Sequence, residues 1–384
     1  MSRSRLKRLP FGFLAMLVMV VLIERGIERR KLEFIHSWAW SWQVSGRAAR
    51  SLARGNDVIC LGDSMMKYGV APRVLGDALG VRAYNLASGA APPPLSYFQL
   101  KRAYEAGARP RVAIVDFIPH LLQNSPRDWQ ELWPDYLDWR EAIDLCRNAR
   151  DAGFFGSIAV AKALPSLRYR NEIRARIAAD FEGRATDRIA TDLGFMTVWR
   201  DNRGADVLEK RTGPPADFTR YASDLYPDAW RPSELNVAYV RRLLDLAAEH
   251  GTTVVVLIPP FNDSVRRERV RKGLDAAYDS FLRNLQRDRA GVIVVDARSS
   301  GYGDAVHYDP IHLDREGATA LSRALAQVIR PLLDRSPLAD APRWIAAPRF
   351  EPSAHPEPSP TRVADERPIQ PGRDPKAPDP STRK

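Results

Sequence analysis

The sequence predicts an α/β protein of three layers, with a doubly wound parallel sheet between helices. Three observations carry that expectation. VICL (58–61), VRAYNL (81–86), VAIVDF (112–117), TVVVLI (253–258) and VIVV (292–295) read as strands, and three of them are nearly continuous apolar runs. Such runs suit parallel strands covered on both faces. Helical patterns separate them, notably LSYFQLKRAYEAG (95–107) and SELNVAYVRRLLDLAAEHG (233–251). Strands alternating with helices imply right-handed βαβ units. With 384 residues, the chain is long enough for one large domain with additions.

Residues 1–31 read as a basic N-terminus and a membrane anchor. MSRSRLKR carries four basic residues, and Leu9 to Ile23 contains no charge. Fifteen helical residues span only about 22 Å, but flanking arginines and lysines can snorkel to cover the missing length. A cleaved signal peptide should offer a small-x-small site, whereas Glu24-Arg25-Gly26-Ile27-Glu28 follows. Phe34, Trp38, Trp40 and Trp42, in a juxtamembrane segment 32–55, resemble an interfacial aromatic belt. The expectation is an uncleaved anchor, with the body outside the cytoplasm.

The main domain is expected over 56–335. A helical insertion, about 120–232, shows no convincing strand and begins at Ser125-Pro126, a serine cap followed by a first-turn proline. Within it Trp129, Trp133 and Tyr136 form a stripe that fits core packing or a platform for a sugar or acyl chain. The last helix starts after Asp314 and runs to about Leu333. Residues 336–384 read as a disordered tail, since ten of the 37 residues from Pro348 onward are proline.

Composition narrows the function classes. Cys60 and Cys146 are too few for a disulfide framework. The net charge of +11 is spread along the chain, with no basic stretch interleaved with aromatics, so nucleic acid is not an expected partner. A polyanionic substrate or an anionic lipid makes better use of that charge. His307 and Asp309 lack a third ligand at suitable spacing, so no metal is expected, and no cofactor.

The chemistry concentrates at VICLGDSMMKYG (58–69), where an apolar strand runs into Gly62-Asp63-Ser64. A serine becomes nucleophilic when a base removes its proton and a third group orients that base. Of the six histidines, His36 lies near the aromatic belt, His250 near a helix end and His355 in the tail, leaving His120, His307 and His312. Asp309 lies three residues before His312, with Pro310 stiffening the turn between them. That aspartate can hydrogen-bond one ring nitrogen and leave the other for a hydroxyl. Ser64 and Gly89, in the loop NLASGAAPPP, can offer backbone N–H groups to a developing oxyanion. The bland alternatives are a turn serine and a helix-capping turn with a surface histidine. Ser64-Met65-Met66-Lys67 also matches Ser-x-x-Lys, although Lys67 better supplies positive potential near the pocket.

Gly62-Asp63-Ser64 after strand one, Gly89 after strand two and Asp309-x-x-His312 before the last helix resemble the SGNH (GDSL-type) hydrolases over residues 57–118 and about 234–333. The resemblance implies a flavodoxin-like fold, nucleophile Ser64, base His312, orienting Asp309 and oxyanion donors at Ser64 and Gly89. The family's third block, Gly-x-Asn-Asp, is replaced by VDFIPHLLQN, where His120 or Asn124 can substitute for the asparagine. The sequence is similar in this to membrane-tethered relatives that modify envelope polymers. The expected partner is an acyl ester, on a polysaccharide or a lipid. Hydrolysis, acyl transfer and a catalytically silent scaffold remain three distinct readings.

Overall fold

The structure, a computed structural model, describes residues 11–183, 196–211, 225–289, 291–334 and 343–352. Six strands form one parallel sheet: β1 (Val58–Leu61), β2 (Ala83–Asn85), β3 (Val112–Val115), β4 (Thr253–Ile258), β5 (Val292–Asp296) and β6 (Trp344–Ala346). Their order is β2-β1-β3-β4-β5-β6, with Leu61 in register with Val115 across the central β1–β3 pair. The first five strands follow the 2-1-3-4-5 order of doubly wound sheets, in which the winding reverses at β1/β3 and leaves a crevice beyond the strands' carboxyl ends.

Fifteen α-helices with both ends among the described residues accompany these strands. The first eleven are α1 (Phe11–Arg29), α2 (Ser37–Ser51), α3 (Ser64–Gly69), α4 (Pro72–Leu79), α5 (Pro93–Glu105), α6 (Pro119–Gln123), α7 (Trp133–Tyr136), α8 (Trp139–Asn148), α9 (Ala152–Ala163), α10 (Pro165–Arg168) and α11 (Arg170–Phe181). They are followed by α12 (Glu234–Glu249), α13 (Asp263–Arg271), α14 (Leu274–Asp288) and α15 (Arg315–Asp334). Alternate strand residues feed two cores, because successive side chains point to opposite faces. Ile59, Leu61, Val254 and Val256 pack with α2, α5, α12 and α14, while Val58, Cys60, Val255 and Leu257 pack with α4 and α15. The continuous apolar runs are explained by this two-sided burial. Between β3 and β4 no strand occurs among the described residues.

The N-terminal expectation is corrected. Among the described residues no helix is long and apolar enough to cross a membrane. The uncharged run stops at Ile23, yet α1 continues through Glu24, Arg25, Glu28 and Arg29. The two acids among them are used within the protein: Glu24 accepts the N–H of Ser166 at 2.8 Å, and Glu28 lies 3.6 Å from Arg168, so the end of α1 docks on α10. The expectation of a membrane-spanning anchor, and the membrane-anchored localisation drawn from it, is not supported. The aromatic belt is corrected too. Trp42 is fully buried on α2, its indole N–H donates to the Gly89 carbonyl at 2.8 Å, and Trp38 and Trp40 pack against the same core.

Two further differences have plain causes. The aromatic stripe spans two short elements: Trp129 ends a 3-10 turn (Pro126–Trp129), whereas Trp133 and Tyr136 belong to α7 and are buried against Trp42. Ser125 caps that turn as expected. Trp344–Ala346, placed by the sequence in the tail, pairs with β5 instead, while residues 353–384 of that tail lie outside the described residues.

The insertion is fastened to the sheet layer by a buried ion pair. Arg102 on α5 donates from Nε to Glu141 on α8 at 2.7 Å and from Nη2 to the Tyr136 carbonyl at 2.8 Å. Gly46 on α2 makes room, since a Cβ there would meet Arg102 Nη1. Removing one partner strands the other's charge in the core. Arg102→Met is therefore expected to lower unfolding free energy by about 3–5 kcal/mol, and adding Glu141→Leu should restore much of it. Denaturant titration of the single and double variants checks this.

Candidate active site

Gly62, at the end of β1, turns the chain with φ +137, a value that disfavours a side chain. The side-chain oxygen of Asp63 then accepts the Met65 N–H at 2.8 Å and caps α3, so Ser64 stands on its first turn, partly exposed. Asn85 on β2, buried, clamps the other end of α3 by donating to the carbonyls of Met66 and Val70 at 3.0 and 3.1 Å.

His312 arrives from the loop between β5 and α15. Asp309 folds this loop: one carboxylate oxygen accepts the backbone N–H groups of Ile311 and His312 at 3.0 and 2.8 Å, and the other lies 2.7 Å from His312 Nδ1. His312 Nε2 stands 2.8 Å from Ser64 Oγ. With Nδ1 donating to the carboxylate, Nε2 carries a lone pair that can accept a hydrogen bond from the Ser64 hydroxyl. Tyr68, one turn along α3 from Ser64, sets its ring edge-on to the imidazole at 5.1 Å. Burial alone raises the Asp309 carboxyl, but the His312 charge and these hydrogen bonds outweigh it and hold the group below the usual carboxylate range.

Gly89 lies in the loop beside β1. Its carbonyl is fixed by Trp42, and a Cβ there would come 3.2 Å from Trp38 Cδ1. Among the described residues, neither the Ser64 nor the Gly89 N–H has a hydrogen-bond partner. Both are the kind of donor an oxyanion requires. Of the two third-block candidates, His120 sits in the first turn of α6, directly after β3. Asn124 ends the same helix, where its carbonyl accepts from Asn236 at 2.7 Å, and it makes no hydrogen bond to Ser64 or His312.

Lys67 differs from its expected role. Its ammonium donates to Ser41 at 3.0 Å in a part-buried contact and pairs with the buried Asp206 at 2.9 Å. Its charge is neutralised within the fold, and it makes no hydrogen bond to Ser64. His307 Nδ1 donates to the Gly303 carbonyl, 2.9 Å away, and among the described residues no cluster of three or more His, Cys, Asp or Glu could hold a metal ion.

No protein-family model matches this chain, and no curated protein matches it either.

Sequence reading passed over Asp116, the acid that directly follows β3. Its Oδ1 accepts the Asp63 N–H at 2.9 Å, one residue before Ser64. Burial pushes both carboxyls above the ordinary aspartate range; the Asp116 charge raises Asp63 further, while hydrogen bonds from Asp63 partly offset the rise at Asp116. An acid at the end of a buried strand, beside the strand that carries Ser64, was the available signal. The folded protein thus holds protons that the unfolded chain releases near pH 4. Stability from this pair is full below that pH and declines as pH rises through about 6, where Asp116 ionises. His120 and His307, both depressed by burial, act in the opposite sense below about pH 6.5. The difference between proteins isolates the acids. Asp63→Asn should lose less stability than the parent between pH 5 and pH 8, measured by urea midpoints at each pH.

Proposed function

We propose that this chain is a serine esterase of SGNH type that cleaves acyl esters through an acyl-serine intermediate. The observation that supports it is the run of contacts from Ser64 Oγ to His312 at 2.8 Å and on to Asp309 at 2.7 Å. Ser64 Oγ attacks the ester carbonyl carbon as His312 Nε2 takes its proton. The carbonyl oxygen becomes negative and is met by the Ser64 and Gly89 N–H groups. Collapse expels the alcohol, which receives the proton from His312 Nε2. Water then repeats the sequence on the acyl-serine, and the acid leaves. Asp309 holds the ring in the required tautomer and faces the positive charge that forms on it.

The test is the full chain with p-nitrophenyl acetate. The reading requires nitrophenol release together with a transient gain of one acetyl group on the peptide carrying Ser64, seen by mass spectrometry after acid quench. Release without that acyl-peptide, or none at all, sinks it. An added alcohol such as glycerol that diverts acetyl into glyceryl acetate would identify transfer through the same intermediate.

A further inference from the structure

We propose that the leaving alcohol of the ester is a sugar, bound by Tyr68 and Tyr308 through their phenol hydroxyls. The inference rests on the esterase reading and names the class of alcohol that the site accepts.

Each of the two elements that build the site carries one of these tyrosines. Tyr68 lies four residues after Ser64 on α3, a spacing that puts both on the same face of the helix. Its ring meets the His312 imidazole at a centroid distance of 5.1 Å and an interplanar angle of 83°. Tyr308 directly precedes Asp309, and its backbone N–H donates to the His312 carbonyl at 2.9 Å, so the turn that presents the base also presents this ring. The two phenols are near enough for the charge of one to bear on the ionisation of the other. The insertion fixes this side of the site. Arg211 stands over the Tyr308 ring at 5.7 Å, and the Leu208 carbonyl accepts the Arg315 N–H at 2.7 Å.

Position decides which half of the ester these rings meet. The carbonyl oxygen turns toward the Ser64 and Gly89 N–H groups, while the alcohol must leave where His312 Nε2 can return the proton. Groups packed on His312 therefore border the alcohol rather than the acyl group. Both tyrosines are partly exposed, and among the described residues neither hydroxyl has a hydrogen-bond partner. Burial first, then the charges of Asp206 and Asp309, push the Tyr68 phenol up, so it keeps its proton and can donate. An apolar alcohol seated here would strip water from two phenols without replacing their hydrogen bonds, which is unfavourable. A pyranose avoids that cost. Its C–H faces pack on the rings, and its hydroxyls satisfy the phenols.

The experiment measures acetate release by full-chain parent, Tyr68→Phe and Tyr308→Phe, with Ser64→Ala as the blank. Two esters share the acyl group and the ring. One is glucose acetylated on its exocyclic hydroxymethyl group; the other is tetrahydropyranylmethyl acetate, the same ring without hydroxyls. The parent should favour the sugar ester by at least about tenfold in kcat/KM. Each phenylalanine should lower kcat/KM on the sugar ester by about tenfold and leave the other ester within about twofold. Phenylalanine keeps the ring contacts, and unfolding midpoints establish that each variant is folded. A tyrosine with a merely structural role would slow both esters alike. Equal losses on the two esters, no loss on the sugar ester, or no preference in the parent overturns the sugar assignment and leaves the esterase reading standing. If the parent releases no more acetate than Ser64→Ala from these esters or from p-nitrophenyl acetate, the esterase reading fails and takes this inference with it.

Discussion

Ser64→Ala is expected to lower kcat/KM on p-nitrophenyl acetate by about 10⁴-fold or more, and Asp309→Asn by about 10⁴-fold. The two losses have different causes. Alanine removes the only atom that can form the acyl bond. Asparagine leaves the loop nearly intact, because its carbonyl oxygen can still accept the Ile311 and His312 N–H groups that shape the turn. What it cannot do is present a second acceptor to His312 Nδ1, where a carboxylate oxygen now lies at 2.7 Å. Its amide favours the tautomer with the proton on Nε2, and that nitrogen can no longer accept from Ser64. The double variant should be no slower than Ser64→Ala alone, since residues that act as a unit do not contribute additively. Equal rates for parent and Ser64→Ala would leave the serine as a capping-turn residue.

Much of this site was legible because its determinants are local. Asp63 caps the helix it begins, and Asp309 folds the turn that presents His312, each within three residues. The parallel sheet was legible for a similar reason: two-sided burial leaves strands apolar at every position. The N-terminus was misread because a hydropathy window ends where charge begins. It cannot see that Glu24 and Glu28 meet Ser166 and Arg168, more than a hundred residues away. Lys67 was misread likewise, its partners Ser41 and Asp206 being distant in sequence. β6 escaped notice since three residues at a sheet edge, amid prolines, carry almost no pattern.

Gly62→Ala should cost the protein stability and, on the esterase reading, at least about 10²-fold in kcat/KM, through two separable effects. A Cβ at this position would lie 1.8 Å from Asp116 Oδ1, and the backbone φ of +137 disfavours any L side chain. The clash acts on the carboxylate that accepts the Asp63 N–H, so the protein must move either β1's exit or Asp116 to relieve it. Either movement shifts Ser64 relative to His312, whose 2.8 Å contact leaves little tolerance. Combining Gly62→Ala with Asp116→Ala removes the clash while keeping the unfavourable φ. Partial recovery of activity over Gly62→Ala alone would assign most of the loss to crowding, and no recovery would assign it to the backbone. An alanine variant as stable and as active as the parent would show that the turn before Ser64 does not set the nucleophile's position.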